Sequence, residues 1–277
     1  MSIPGREPVD RFYGTVRLLA RFWLWFFFRA VETRHPERVP ASGPVLLCVN
    51  HPNNLIDSLL VGTVVSRKVH YLATAALFRH PLLARFLRRA GVIPVYRRQD
   101  DPDKMDQNAE TFASCIDALI AGRLIAIYPE GTTHAEMRVQ RIKTGAARLA
   151  LGYEAARRTR GAGTELALLP IGLTFEARKS FRSRVLVAFG SPIPVRPHLE
   201  QHRDDAVKAV DALTTRIQWA MEAQVIHADR VDTAELSRAV EELYRDELIR
   251  ELRFERGLAA AEIDPLQIGR ASCRERV

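Results

Sequence analysis

The sequence predicts an α/β protein: a mixed, mainly parallel sheet flanked by helices, with N-terminal interfacial helices and a helical C-terminal extension. Three observations predict it. Val45-Leu46-Leu47-Cys48-Val49 is an unbroken apolar run with two β-branched residues, which reads as a short buried strand. It stops in Asn50-His51-Pro52-Asn53-Asn54, all turn or cap formers, and Leu55, Leu59, Leu60 and Val64 then recur at helical spacing. The same alternation returns at Leu124–Tyr128, a second buried strand followed by a helix that Lys143-Thr144-Gly145 opens.

The chain divides by composition into an N-terminal helical membrane-interface segment (1–36), an α/β domain (37–197), a helical extension (198–267) and a short tail (268–277). Residues 10–31 carry Phe12, Tyr13, Val16, Leu18 and Leu19, then the run Phe22-Trp23-Leu24-Trp25-Phe26-Phe27-Phe28, punctuated by Arg11, Arg17, Arg21 and Arg29. That run is far below the roughly 20 residues needed to span a bilayer. Aromatics flanked by arginines point to one or two helices lying in the headgroup region, a stronger reading than a helix packed wholly on its own core.

Glu37 to Pro44 is a Pro- and Gly-punctuated lead-in to the first strand. Asn53 or Asn54 is the expected N-cap of the helix after it. Lys68–Ala73 reads as the next strand, and His80–Ala90 as a short amphipathic helix ended by Gly91. Val92–Tyr96 is a third strand, delivering Arg97 and Arg98 at its end. Asp100–Asp106 is an acidic connector. Asn108–Ala121 follows as a helix with Phe112, Cys115, Ile116, Leu119 and Ile120 on one face. Leu166–Leu173 is a strand whose Pro170 restricts it to an edge, an end or a bulge. Arg184–Phe189 is another. From His198 the pattern turns helical: Ala206, Val210, Leu213, Ile217 and Met221 form one face, and Leu236, Val240, Leu243, Leu248 and Leu252 a second. Residues 268–277 read as a translated sequencing adapter, which would put the natural C-terminus near Gln267; the alternative is a disordered basic tail.

Apolar content of 47% and charged content of 27% are ordinary for a globular chain of 277 residues. Three widely spaced cysteines, Cys48, Cys115 and Cys273, give neither a disulfide framework nor a metal pattern and fit a reducing, cytosolic setting. The net charge is +8, and taking away the three Arg and one Glu of the tail lowers it to +6. A basic balance suits an anionic membrane or a phosphorylated substrate; nucleic acid ranks last, because no binding motif accompanies the charge.

His51 ends a strand and Asp57 lies in the first turns of the following helix, the edge of an α/β sheet where ligands bind. A histidine with a carboxylate on one ring nitrogen is a general base with its orienter. The competing interpretation is a turn residue beside a helix-start carboxylate. A second stretch, Tyr128-Pro129-Glu130-Gly131-Thr132-Thr133-His134, tips the balance, since Gly131 permits close backbone approach and free N–H groups in such a turn can hold a phosphate. Lys143 at a helix start opposes the dipole and hints at an anion. His134 is a spare base or, preferentially, an exposed loop residue.

At these residues the chain resembles the glycerolipid acyltransferases that make phosphatidic acid, typified by 1-acylglycerol-3-phosphate acyltransferase. The family's ordered blocks have counterparts in Asn50-His51 to Asp57, in Leu77–Pro81 running to Gly91–Arg97, in Tyr128–Thr132 and in Leu169–Gly172. The departures are an extra residue between His51 and Asp57, like that of glycerol-3-phosphate acyltransferases of the fungal type, a missing block-two lysine near Thr74, and Thr133 where an arginine often stands. The resemblance implies a catalytic pair, His51 and Asp57, and acceptor binding by Arg97, Glu130, Gly131, Thr132 and Lys143, with no metal and no cofactor. It implies acyl transfer from acyl-CoA or acyl-carrier protein to a glycerol phosphate hydroxyl at the cytoplasmic face of a membrane. Lysophosphatidate is the first acceptor and glycerol-3-phosphate the alternative. Readings from other classes are a thioester hydrolase and a non-catalytic membrane lipid-binding protein.

Overall fold

The structure, a computed structural model, describes residues 7, 9–96, 107–134, 136, 138–161 and 163–225. Helix α1 spans Arg11–Phe27, capped by Asp10, whose Oδ1 accepts the Tyr13 N–H at 2.8 Å. Strand β1 (Ala30–Arg34) follows. This corrects the helical assignment of the segment up to residue 36: the chain turns at Phe28, which is buried, and enters the sheet. Next come β2 (Val45–Val49), α2 (Leu55–Val64), β3 (Val69–Thr74), α3 (Pro81–Arg89), β4 (Val92–Val95) and α4 (Gln107–Ile120). The rest is β5 (Leu124–Ile127), α5 (Gly145–Arg160), β6 (Ala167–Phe175), β7 (Arg184–Phe189), α6 (Arg196–Asp204) and α7 (Ala206–Glu222).

One seven-stranded sheet runs in the order β1-β7-β6-β2-β5-β3-β4. The five strands from β6 to β4 are mutually parallel, whereas β7 pairs antiparallel with β6 and parallel with β1. The expected mixed, mainly parallel sheet is therefore present. Every residue of β2 is buried because helices cover both faces of this central strand. Leu46 and Cys48 face Leu119 of α4, Leu149 of α5 and Leu213 and Ile217 of α7. Val45, Leu47 and Val49 face Leu24 of α1 and Leu60 and Val61 of α2. Truncating Leu46 or Leu47 to alanine costs about 2–5 kcal/mol in such an interior.

Pro170 stands in an interior strand, not an edge. The physical reason is local: the ladder to β7 begins only at Ile171, and at Pro170 the neighbour is the irregular segment beyond Phe189, whose Gly190 N–H donates to the proline carbonyl at 2.8 Å. No amide hydrogen is required of residue 170 on that side. Helix α7 buries Ala209, Leu213, Ile217 and Met221 against the sheet. Arg97, Arg98, the 100–106 connector, Cys273, the second helical face over 236–252 and the 268–277 tail lie outside the described residues.

On α1 the inward face buries Tyr13, Ala20 and Leu24, and the outward face exposes Leu18, Leu19, Phe22, Trp25 and Phe26. Among the described residues no helix is long and apolar enough to cross a membrane.

Candidate active site

The central strand ends in a side chain that extends it. Asn50 is buried, and its amide donates to the Leu173 carbonyl at 3.0 Å and accepts the Leu173 N–H at 2.7 Å. This pairing with β6 replaces a peptide unit and lets the main chain leave the sheet at His51. The turn that follows is held by Asp57, whose Oδ2 accepts the Asn53 N–H at 2.7 Å. Asn54 takes the N-cap position with φ of 51°, a region asparagine tolerates better than most residues. Its side chain does not cap the helix; Oδ1 instead accepts the Thr133 hydroxyl at 2.7 Å.

Asp57, fully buried, also meets His51: Nδ1 lies 2.9 Å from Oδ2. With the carboxylate on Nδ1, that nitrogen carries the hydrogen and Nε2 is the accepting nitrogen. Burial pushes the Asp57 carboxyl above its usual range, opposed by the His51 ring, by the Asn53 N–H and by the Arg178 guanidinium. The imidazole stacks on Tyr128, with ring centroids 3.9 Å apart and planes 20° from parallel. Tyr128 is fixed in turn by a 2.8 Å hydroxyl contact with Ser58.

Sheet register explains why two distant motifs meet. Cys48 of β2 pairs with Ile127 of β5, so carrying the pairing onward sets the His51 turn beside the Pro129-Glu130-Gly131 turn. The Glu130 side chain is fully buried, and Oε2 lies 2.5 Å from His134 Nε2. Burial raises the Glu130 carboxyl; His134 opposes this most, and the backbone N–H groups of His51 and Gln140 face the carboxyl and add to that opposition. His134 corrects the expectation of an exposed loop residue: its side chain is 12% exposed because it is drawn onto Glu130. Gly131 has φ of +73°, and a Cβ there would lie 2.7 Å from Lys143 Nζ. The Lys143 N–H closes the turn on the Pro129 carbonyl at 2.8 Å.

The structure thus brings together His51, Asp57, Glu130, Gly131 and Lys143, with Thr132 exposed on the same turn. Arg97 lies outside the described residues. Tyr128, Ser58 and Arg178 join the site without having been singled out: Tyr128 sits inside a motif, whereas Ser58 and Arg178 carry no signal of their own. Chemically, a buried carboxylate orients an imidazole whose second nitrogen is left to take a proton, next to a turn with a lysine ammonium. Cys48 and Cys115, buried and pushed up to about 12, are poor nucleophiles.

The family model described as Acyltransferase matches residues 30–172. The chain is 33% identical over 149 residues to glycerol-3-phosphate O-acyltransferase 2 of Saccharomyces cerevisiae, covering 53% of this chain and 19% of that protein. It is 29% identical over 152 residues to the probable 1-acyl-sn-glycerol-3-phosphate acyltransferase 5 of Arabidopsis thaliana, covering 52% and 38%. These matches span less than half the length of either relative. In fold, the chain is similar to the 1-acyl-sn-glycerophosphate acyltransferase PlsC from Thermotoga maritima, with a TM-score of 0.52 and 17% identity over 74% of this chain and 77% of that one.

Proposed function

The chain belongs to the acyltransferase family, and on that basis we propose that it moves a fatty acyl group from acyl-CoA or acyl-carrier protein to a hydroxyl of a glycerol phosphate, with lysophosphatidate as acceptor. The observation that carries this reading is the 2.9 Å contact of His51 Nδ1 with buried Asp57 beside the Glu130 turn. His51 Nε2 takes the acceptor's hydroxyl proton, and the Asp57 carboxylate stabilises the imidazolium that forms. The oxygen attacks the thioester carbonyl, the carbon–sulfur bond breaks, and the thiolate leaves with the proton returned by His51. A thiolate is a good leaving group, so the step needs no acyl-enzyme. Glu130 orders the turn, and Gly131, Thr132, Lys143 and Arg97 receive the acceptor phosphate.

Glycerol-3-phosphate is the second acceptor. The five residues between His51 and Asp57 and the similarity to the yeast protein favour it. The exposed aromatic face of α1 supports docking on a membrane surface, where an acyl-bearing acceptor resides.

The test is thiol release from acyl-CoA with lysophosphatidate, with glycerol-3-phosphate, and with neither. Release that depends on one acceptor supports transfer and identifies it. Equal release in all three arms means hydrolysis, and no release means a lipid-binding protein.

A further inference from the structure

A residue outside every motif ties the two halves of the site together. Arg178 lies in the turn between β6 and β7, and its Nη1 donates to the Pro52 carbonyl at 2.5 Å and to the His134 carbonyl at 3.2 Å. Its own main-chain carbonyl accepts the Asn53 amide at 3.1 Å. Pro52 and Asn53 belong to the turn that bears His51, and His134 to the turn that bears Glu130. One guanidinium nitrogen, with two N–H groups in a fixed plane, spans both. The far end of the same turn is seated on the N-terminal helix, where Phe181 packs on Phe26 and Phe27 at centroid distances of 5.3 and 5.9 Å.

We propose that Arg178 is a positioning residue for acyl transfer: it clamps the His51 turn against the Glu130 turn and so fixes the proton-accepting ring relative to the acceptor site. This rests on the acyltransferase reading of the site. Both hydrogens of Nη1 are spent on backbone carbonyls, so the clamp is made by this one nitrogen. The Thr133–Asn54 contact is a second tie between the turns, but it is exposed to water and carries no charge. Charge-assisted bonds are the stronger kind. Lysine carries the charge without the planar fork, so it restores the clamp only in part.

The experiment compares wild type, Arg178→Met and Arg178→Lys by steady-state transfer, by acceptor-free thiol release, by thermal melting and by the ring signals of 15N-labelled histidine. In Arg178→Met we expect kcat to fall about tenfold or more, since small misplacements of a catalytic group are costly. Acceptor-free release stays at background in all three proteins. The acceptor KM and the melting temperature stay near wild type, Arg178→Lys recovers part of kcat, and the His51 Nδ1 proton exchanges faster with water. A raised acceptor KM at unchanged kcat would make Arg178 an anion ligand and overturn the proposal. So would wild-type kinetics, or a loss of activity that tracks a lower melting temperature and is not recovered by lysine. If the wild type transfers no acyl group, the functional reading fails. The clamp is then judged on the His51 signal alone, and an unchanged signal in Arg178→Met refutes it.

Discussion

The imidazole of His51 lies flat on the phenol ring of Tyr128, 3.9 Å between centroids, while Asp57 holds its edge at 2.9 Å. Two partners at right angles to each other leave the ring one orientation. Face contact fixes its plane, and the carboxylate fixes its rotation within that plane. Preorganisation of this kind matters because proton transfer depends on tenths of an ångström.

Removing the stack separates these contributions. Tyr128→Ala is expected to lower kcat by roughly tenfold or more at little change in acceptor KM. Tyr128→Phe keeps the face and loses only the Ser58 contact, so it should retain most of the rate. Steady-state kinetics of the two variants decide the matter. Equal losses would mean that the hydroxyl, not the face, is what counts.

Asp57→Asn should separate activity from stability. Burial raises the folded-state pKa of this carboxyl, so the folded chain holds the proton more tightly than the unfolded chain does. The sign follows: the two states match well below the ordinary value of 3.8, and the fold loses stability as pH rises from there through the raised value. At neutral pH the cost is present in full. The amide variant does not carry it and should melt at the same or a higher temperature near pH 7, with the difference shrinking as pH drops. Acyl transfer should fall roughly 10²–10⁴-fold, the usual range for lost general-base function. A lower melting temperature at neutral pH with wild-type turnover would reverse both halves.

Gly131→Ala puts a methyl carbon 2.7 Å from Lys143 Nζ, at a backbone φ of +73°. The left-handed backbone costs about 1–2 kcal/mol for alanine, which corresponds to a drop of roughly 2–5 °C in a domain this size. Displacing the ammonium should also raise the acceptor KM. Lys143→Gln should reproduce the KM change without the thermal one. An acceptor KM unmoved in both variants would take Lys143 out of the acceptor site.

The outward face of α1 is expected to bind anionic vesicles. Trp23 and Trp25 fluorescence should shift to the blue on mixing, and Trp25→Ser with Phe26→Ser should weaken partitioning by about tenfold or more, given the free energy of burying large aromatics. The melting temperature should fall little, since Trp25 and Phe26 are 68% and 55% exposed and Phe181 keeps its contact with Phe27. Vesicle binding unchanged by the pair would place the docking surface elsewhere.

What sequence could and could not reveal follows from the range of each interaction. Strand β2 and the helix after it were legible because apolar runs and turn formers act locally. The His51–Asp57 pair was legible for the same reason, lying within one turn of chain. Strand β1 was not: Glu32 and Arg34 give it no apolar alternation, and it exists because β7 offers an edge. Nor did sequence reveal the burial of His134, which depends on Glu130 being enclosed by Gln140 and the His51 backbone. Of the places the sequence allowed Pro170, the bulge is the one that fits: between the Ile171–Phe189 and Leu168–Ile193 pairs, residues 190–192 face only 169 and 170. Arg178 reaches its partners across 126 and 44 residues of chain, beyond any local pattern.

The most direct measurement is acceptor-dependent thiol release from acyl-CoA by wild type and His51→Ala, run side by side at equal folded fraction. We expect release only when a glycerol phosphate acceptor is present, and a fall of roughly 10²–10⁴-fold in the variant. Undiminished release in His51→Ala, or release indifferent to acceptor in the wild type, would contradict it.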